Sequence, residues 1–180
     1  MKSAIRNHID QNLSFLKDKK VLIAISGGID SCVLTHVFHK LKYDISLAHC
    51  NFMLRGKESN KDEIFVKELG ERLQVPTYTI RFDTETFASK YGISTQMAAR
   101  DLRYNWFNQL TEENDIAYIL TAHQKDDVIE TFLINLTRGT GLDGLTGIPE
   151  VNGNIVRPML HFTRNEILIL LFDALSAHLF

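Results

Sequence analysis

The sequence predicts an α/β domain: a Rossmann-like, doubly wound, mostly parallel sheet with helices on both faces. Three observations carry that expectation. Residues 21–25 read Val-Leu-Ile-Ala-Ile, a β-branched apolar run bounded by glycine, as fits a strand covered on both faces. The run stops at Ser26-Gly27-Gly28 and restarts as a helical apolar stripe through Cys32, Val33, Leu34, Val37, Phe38 and Leu41. After the short Lys42-Tyr43-Asp44 connection, residues 45–50 form a second strand, so the three pieces make a right-handed βαβ unit.

The remaining elements follow in chain order. Ile5, His8/Ile9, Leu13 and Leu16 have the spacing of a short amphipathic helix within residues 1–18, and the lysine-rich stretch 17–20 is a solvated turn. Beyond the second strand, residues 52–59 form a polar and basic loop. Ile64, Phe65, Leu69 and Leu73 then mark a helix that Ser59 or Asn60 would cap, with Glu63 three residues after Asn60. Residues 75–82 read as a strand with Pro76 near its start, where a missing N–H matters least.

A short helix over 84–91 is closed by Gly92, and Ser94 or Thr95 caps a longer one running to about Glu113. On the longer helix Gln96, Arg100 and Arg103 share a face, and Met97, Ala98, Leu102 and Leu110 fall roughly on the other. Two guanidiniums on one stripe are either a solvated face or a clamp for phosphate. Residues 116–122 are the fourth strand, ending on His123 and a helix that starts near Lys125. Residues 138–147 hold four glycines, a mobile lid or a surface that a large substrate can approach closely. Asn152-Gly153 turns a small hairpin, and Thr163 with Glu166 forms a capping box that opens the last helix, 163–180.

Composition bounds the class. With 180 residues, 44% of them hydrophobic, the chain is expected to be a single domain, 1–180, able to bury a real core. Lys and Arg number 20 against 22 Asp and Glu, a formal net charge of −2, so any nucleic-acid contact has to be local. Cys32 and Cys50 lie apart in apolar segments, which points to reduced, buried thiols in a cytoplasmic protein and away from disulfides or cysteine metal sites. The N-terminal segment lacks the apolar core of a signal peptide, and the apolar tail 167–180 is too short for a membrane span.

Two clusters carry chemistry. At the first, two adjacent glycines let the backbone approach a ligand, and the N–H groups of the helix's first turn have no intrahelical partner and point at an anion. Ser26 and Ser31 add hydroxyls. Asp30 would repel phosphates unless a cation stood between them, so Mg²⁺ is expected there. The plain alternative is an ordinary βα turn with Ser and Asp as helix caps. The turn matches neither the Walker A nor the dinucleotide glycine pattern. At the second cluster, Asp126, Asp127 and Glu130 crowd one side of a helix's first two turns beside His123. Acids there favour the helix dipole, but three of them with a histidine at a strand's end exceed what capping needs. They point to a site for Mg²⁺ or for a cationic amine, with His123 as proton acceptor or hydrogen-bond donor.

The string Ser-Gly-Gly-Ile-Asp-Ser at 26–31 resembles the signature of the PP-loop ATP pyrophosphatase superfamily. Four further blocks extend the likeness in order: His-Cys-Asn-Phe-Met-Leu-Arg-Gly-Lys-Glu-Ser at 49–59, Ala-Ala-Arg-Asp-Leu-Arg-Tyr at 98–104, Thr-Ala-His-Gln-Lys-Asp-Asp-Val-Ile-Glu-Thr at 121–131 and Asn-Leu-Thr-Arg-Gly-Thr-Gly-Leu-Asp-Gly-Leu-Thr-Gly at 135–147. Together they resemble the tRNA(Ile)-lysidine synthase family over residues 20 to about 167. Gln124, Gln96 and Phe52 stand where that family often has His, Glu and His.

The resemblance implies a PP-loop, adenine-nucleotide α-hydrolase-like fold that uses ATP and Mg²⁺. Its substrates would be free L-lysine and an isoleucine tRNA with a CAU anticodon. Carried onto this sequence, it implies Ser26, Gly27, Gly28, Ile29, Asp30, Ser31, His49, Asn51 and Arg100 at ATP. Arg55, Arg103, Asp126, Asp127, Glu130, Arg138 and Gly139 would contact the tRNA or lysine. Asp30, His123, Asp127 and Glu130 would serve catalysis, with Asp30 and Asp127 on the metal. Members of the family continue into helical domains that grip tRNA. The chain is thus expected to hold the ATP domain without them, its apolar tail truncated and open to dimerisation. Other PP-loop enzymes, a tRNA thiolase or an amidotransferase-type synthetase, are the competing readings, as is a nucleotide-binding module without catalysis.

Overall fold

A computed structural model describes residues 2–137 and 147–169. Helix α1 (Lys2–Asn12) leads into β1 (Lys20–Ala24), α2 (Ile29–Lys40), β2 (Asp44–Asn51), α3 (Lys57–Leu73) and β3 (Thr77–Arg81). Two consecutive helices, α4 (Thr84–Tyr91) and α5 (Thr95–Glu113), then carry the chain to β4 (Tyr118–Leu120) and α6 (Lys125–Thr137). A hairpin of β5 (Val151–Asn152) and β6 (Ile155–Val156) precedes a helical stretch over 164–169.

The strands form one sheet in the order β3-β2-β1-β4-β6-β5, parallel throughout except for the β5–β6 hairpin. The chain winds outward from β1 through β2 to β3, then returns across β1 to lay down β4 on its other side. Val21 therefore faces Ile45 on one flank and Tyr118 on the other. The strand order reverses between β1 and β4, and a crevice opens there beyond their carboxyl ends.

Alternation along the strands builds two cores. Val21, Ile23, Ile45, Leu47 and Leu120 pack with Ile5 and Ile9 of α1, Leu34 and Phe38 of α2, and Val66 and Leu69 of α3. The intervening residues Leu22, Ala48 and Ile119 pack against Phe107 and Leu110 of α5. With both faces covered, β1 reads as a continuous apolar run rather than an alternating one.

Several local signals act as the sequence implies. Ser94 caps α5 by accepting the Met97 N–H, and Gly92 ends α4 in the left-handed region at φ 63°. Thr163 and Glu166 cap each other reciprocally, with Glu166 Oε2 2.8 Å from the Thr163 N–H. Gly153, at φ 59°, makes the hairpin turn.

Helix α3 departs from expectation at its start and on its buried face. It begins at Lys57 after Gly56, with no side-chain cap. Ser59 Oγ is occupied by the Arg55 N–H and Asn60 Oδ1 by Asn51 Nδ2, so neither is free to cap. The buried face is Ser59, Glu63, Val66, Leu69 and Gly70, whereas Ile64 and Phe65 are 56% and 37% exposed. Polar Ser59 and Glu63 on the inner face shift the stripe that hydropathy alone would choose. Gly70 lets the helix approach β3 closely, since a Cβ there would lie 1.9 Å from Thr77 Oγ1. On α5, Met97 is exposed and Ala99 takes its place in the buried face. Strand β4 is shorter than the apolar run 116–122. The glycine-rich segment 138–146 and the tail from 170, with the dimerisation expected of it, lie outside the described residues.

Candidate functional site

A cavity of about 400 Å³ occupies the crevice beyond β1 and β4. Its floor is the end of β1 with the Ser26–Gly28 turn, and one wall is the first turn of α2, Ile29, Asp30 and Ser31. Strand β2 contributes Ala48 and Cys50, followed by Phe52, and α5 contributes Arg103, Tyr104 and Phe107. Thr121, Ala122 and His123 after β4, Asp127 on α6, and Arg164 complete the lining.

The turn is built by its two serines. Ser31 Oγ accepts the Ser26 N–H at 3.2 Å and donates to the Gly28 carbonyl at 2.9 Å, while Ser26 Oγ accepts the Gly28 N–H at 3.2 Å. Gly27 sits at φ +89°, a conformation side chains avoid, and a Cβ there would meet the Asp62 side chain at 3.3 Å. No side chain caps α2, so the N–H groups of its first turn remain available to an anion in the cavity. Arg55 Nη2 binds Asp62 Oδ2 at 2.7 Å, which places this guanidinium beside the Gly27 turn.

Asp30 and Asp127 come to the same cavity from the first turns of two different helices. Burial raises the Asp30 carboxyl above its ordinary range, Arg164 opposes the rise, and the charges of Asp127 and Asp126 add to it. Asp30 Oδ1 is buried and has no hydrogen-bond partner among the described residues. Asp127 Oδ2 accepts the Gln124 N–H at 2.8 Å, which caps α6 and leaves the other oxygen unconstrained by that bond. Two carboxylates that face one cavity, one with an orphaned oxygen, are the hard oxygen donors a Mg²⁺ ion takes.

His123 Nδ1 lies 2.8 Å from Thr121 Oγ1. Burial pushes its imidazole below the ordinary range, the Arg157 charge adds to that, and Asp127 pulls the other way. The neutral ring is thereby favoured, the form that can take up a proton.

The other residues singled out from the sequence are distributed as follows. Ile29 is exposed on the cavity wall. Arg103 lines the cavity with its Cζ 5.1 Å from the Phe52 ring, while Arg100 is exposed, its Cζ 5.1 Å from the Tyr104 ring. Asp126 and Glu130 are exposed on α6 and do not line the cavity. Strand alternation sends His49 and Asn51 to the face opposite Ala48 and Cys50. His49 Nδ1 lies 2.9 Å from the Ile25 carbonyl, and Asn51 donates to Asn60 and to Glu63 Oε2. Both therefore support the loops behind the cavity instead of facing it. Arg138 and Gly139 lie outside the described residues.

Sequence reasoning missed Phe52, Tyr104, Phe107, Thr121 and Arg164 as lining residues. Period-two alternation from Leu47 contains the signal for the β2 side. Nothing local marks Arg164, which reads only as part of a capping box. Cys50 also reaches the cavity, and burial pushes its thiol up to about 12.

A family model described as a PP-loop domain matches residues 1–174. The chain is 48% identical over 161 residues to the tRNA(Ile)-lysidine synthase of Bacteroides thetaiotaomicron, covering 89% of this chain. It is 50% identical over 157 residues to the enzyme of that name from Porphyromonas gingivalis, covering 87% of this chain. It spans 38% and 35% of the lengths of those two relatives. Among solved structures, the U34-tRNA thiolase NcsA from Methanococcus maripaludis with its [4Fe-4S] cluster superposes with a TM-score of 0.75 at 18% identity, covering 97% of this chain and 63% of that one. The NH3-dependent NAD synthetase from Campylobacter jejuni superposes with a TM-score of 0.62 at 16% identity, covering 96% of this chain and 71% of that one. These two likenesses speak to the α/β fold alone.

Proposed function

The chain belongs to the PP-loop domain family, and from that premise we propose that it carries the ATP-dependent chemistry of lysidine formation. ATP adenylylates the C2 oxygen of the wobble cytidine in an isoleucine tRNA with a CAU anticodon, releasing pyrophosphate. The ε-amine of free L-lysine then attacks C2 and AMP leaves. Residues 1–180 act as one ATP-binding domain, in the cytoplasm, where ATP, lysine and tRNA are all at hand. Among the described residues no helix is long and apolar enough to cross a membrane.

The observation that carries this reading is the meeting of Asp30 and Asp127 in one cavity with the Ser26–Gly28 turn. The names borne by relatives at 48% and 50% identity support the choice of substrate. In this reading the turn and the first N–H groups of α2 bind the phosphates, with the Ser26 and Ser31 hydroxyls, 3.2 Å apart, exchanging their mutual hydrogen bond for contacts to oxygen. Asp30 and Asp127 hold Mg²⁺, whose charge offsets that of the phosphates and carboxylates together. Arg103, stacked by Phe52, reaches the α-phosphate or the cytidine, and the aromatic wall of Phe52 and Tyr104 suits a base lifted from its stack. Arg100 and Arg55 approach the RNA backbone from outside the cavity.

Lysine brings two amines, and the acids of α6 supply the attraction they need, Asp127 from the cavity wall and Asp126 and Glu130 at longer range from the exposed face of the same helix. Those same acids hold the ε-amine in its protonated, unreactive form. A base is therefore required, and His123, kept neutral by burial, takes the proton directly or through a water. Neither cysteine favours thiolase chemistry, because burial pushes Cys32 to about 11 and Cys50 to about 12, far from a reactive thiolate.

Pyrophosphate release is the test, measured with ATP, lysine and an anticodon stem-loop bearing the cytidine. The reading requires release that depends on the RNA, and AMP release and product formation that depend on lysine. Turnover indifferent to lysine would move the chain to the thiolases or other PP-loop enzymes. ATP binding without release would make it a nucleotide-binding module.

A further inference from the structure

Away from the cavity, three side chains from separate parts of the chain converge, and none is used in the chemistry above. His8 on α1, Glu150 just before β5 and His161 in the turn after β6 bring one ligand atom each within 4.8 Å of the others. His8 Nε2 lies 2.6 Å from Glu150 Oε1, and His161 Nε2 lies 3.6 Å from Glu150 Oε2. The two imidazoles meet edge to face with centroids 5.2 Å apart. We propose that His8, Glu150 and His161 form a binding site for a borderline divalent transition ion such as Zn²⁺, which ties α1 to the segment following β4.

The donor set selects the ion. Two neutral imidazole nitrogens and one carboxylate suit zinc or cobalt, whereas Mg²⁺ takes oxygen. Ligand bonds of about 2.0–2.1 Å in a tetrahedron put neighbouring donors about 3.3 Å apart. His8 Nε2 must draw back from Glu150 Oε1 and His161 Nε2 approach Oε2, each by less than about 1 Å, and no pair of donors, all within 4.8 Å of one another, has to close by more than about 1.5 Å, within reach of side-chain rotation.

The surroundings hold the donors in place. Ile5 and Ile9 fix α1 in the core, and the Glu150 carbonyl accepts the Arg157 N–H at 2.8 Å, which fixes the backbone beside β5. The Phe162 ring meets the His8 ring edge-on at 5.8 Å. Asn12 Nδ2 lies 3.2 Å from His8 Nδ1, so a rotated Asn12 amide would offer its oxygen to the Nδ1 proton that a metal-bound His8 must carry. The His161 side chain is 60% exposed, which leaves the fourth position to water. The Phe162 carbonyl accepts the N–H of Lys125, the first residue of α6. An ion here would thus brace the turn on which the helix of Asp127 rests. The inference is independent of the lysidine reading.

The 180-residue chain, dialysed against chelator, is titrated with Co²⁺ alone and followed by visible absorption, then challenged with Zn²⁺. One equivalent of Co²⁺ giving a tetrahedral spectrum, displaced by one equivalent of Zn²⁺ with a rise in melting temperature, is the expected result. His161→Gln, at an exposed position that tolerates the change, weakens Zn²⁺ binding at least about tenfold, as does His8→Gln. Asp30→Asn leaves the spectrum unchanged. Absence of a tetrahedral spectrum, its survival in both histidine variants, or its loss in Asp30→Asn overturns the proposal.

Discussion

The charge of Asp127 raises the Asp30 carboxyl, and a cation shared by the two relieves that repulsion. Asp127→Asn tests this without disturbing the fold, because the amide oxygen still accepts the Gln124 N–H that caps α6. The expected outcome is loss of pyrophosphate release by at least about a hundredfold, of the order that removing one catalytic electrostatic contact costs. ATP affinity measured without Mg²⁺ should stay within a few-fold of the parent. His123 supplies the pH dependence. Burial holds its imidazole below the ordinary value of 6.5, so the free base persists as pH falls through that point and is lost only lower. The lysine-dependent step should hold its rate down to about pH 6.5 and drop beneath it, and His123→Gln should abolish that acid limb along with most of the activity. Single-turnover AMP release across pH measures both.

Helix α3 is held in the core by Val66 and Leu69, and one buried acid, Glu63, fixes the rest of its inner face. Burial alone would raise the Glu63 carboxyl, but hydrogen bonds from Arg81, Lys67 and Asn51 outweigh it and hold it at about 2. A carboxylate depressed below its unfolded value stabilises the fold fully above the unfolded value of 4.5, and the contribution disappears as pH falls toward about 2. Arg81 and Lys67 are half exposed, so solvent screening reduces the effect to about 2 kcal/mol. Glu63→Gln should lose roughly that much stability at neutral pH and show a flatter decline below pH 4.5, as urea unfolding at a series of pH values would show. This same residue explains why α3 was only half legible. Its length and helical nature follow from the chain's periodicity, but its inner face follows from hydrogen bonds among Asn51, Glu63 and Arg81, which no single stretch contains.

At the scale of the whole molecule, what could be read in advance was what neighbouring residues decide. The Ser26–Gly28 turn, the Gly92 and Ser94 helix ends, the Asn152-Gly153 hairpin and the Thr163–Glu166 box are each fixed within a few positions. The cavity is not, because its lining depends on the β3-β2-β1-β4-β6-β5 order and on which residues alternate toward it. Hence Asp30, Asp127, Arg103 and His123 were legible as chemistry, while Phe52, Tyr104 and Arg164 emerge only from the packing. The reversal of strand order has one more effect. Only three residues of β4 pair with β1 across that reversal, a short seam in a sheet whose two halves also share the core in which Leu120, Val156 and Met159 meet Val21 and Ile23. A nucleotide lodged across the seam rivets the halves together. Saturating ATP should therefore slow amide hydrogen exchange at Ile119, Leu120 and Thr121 far more than at Leu47, deep inside the first half.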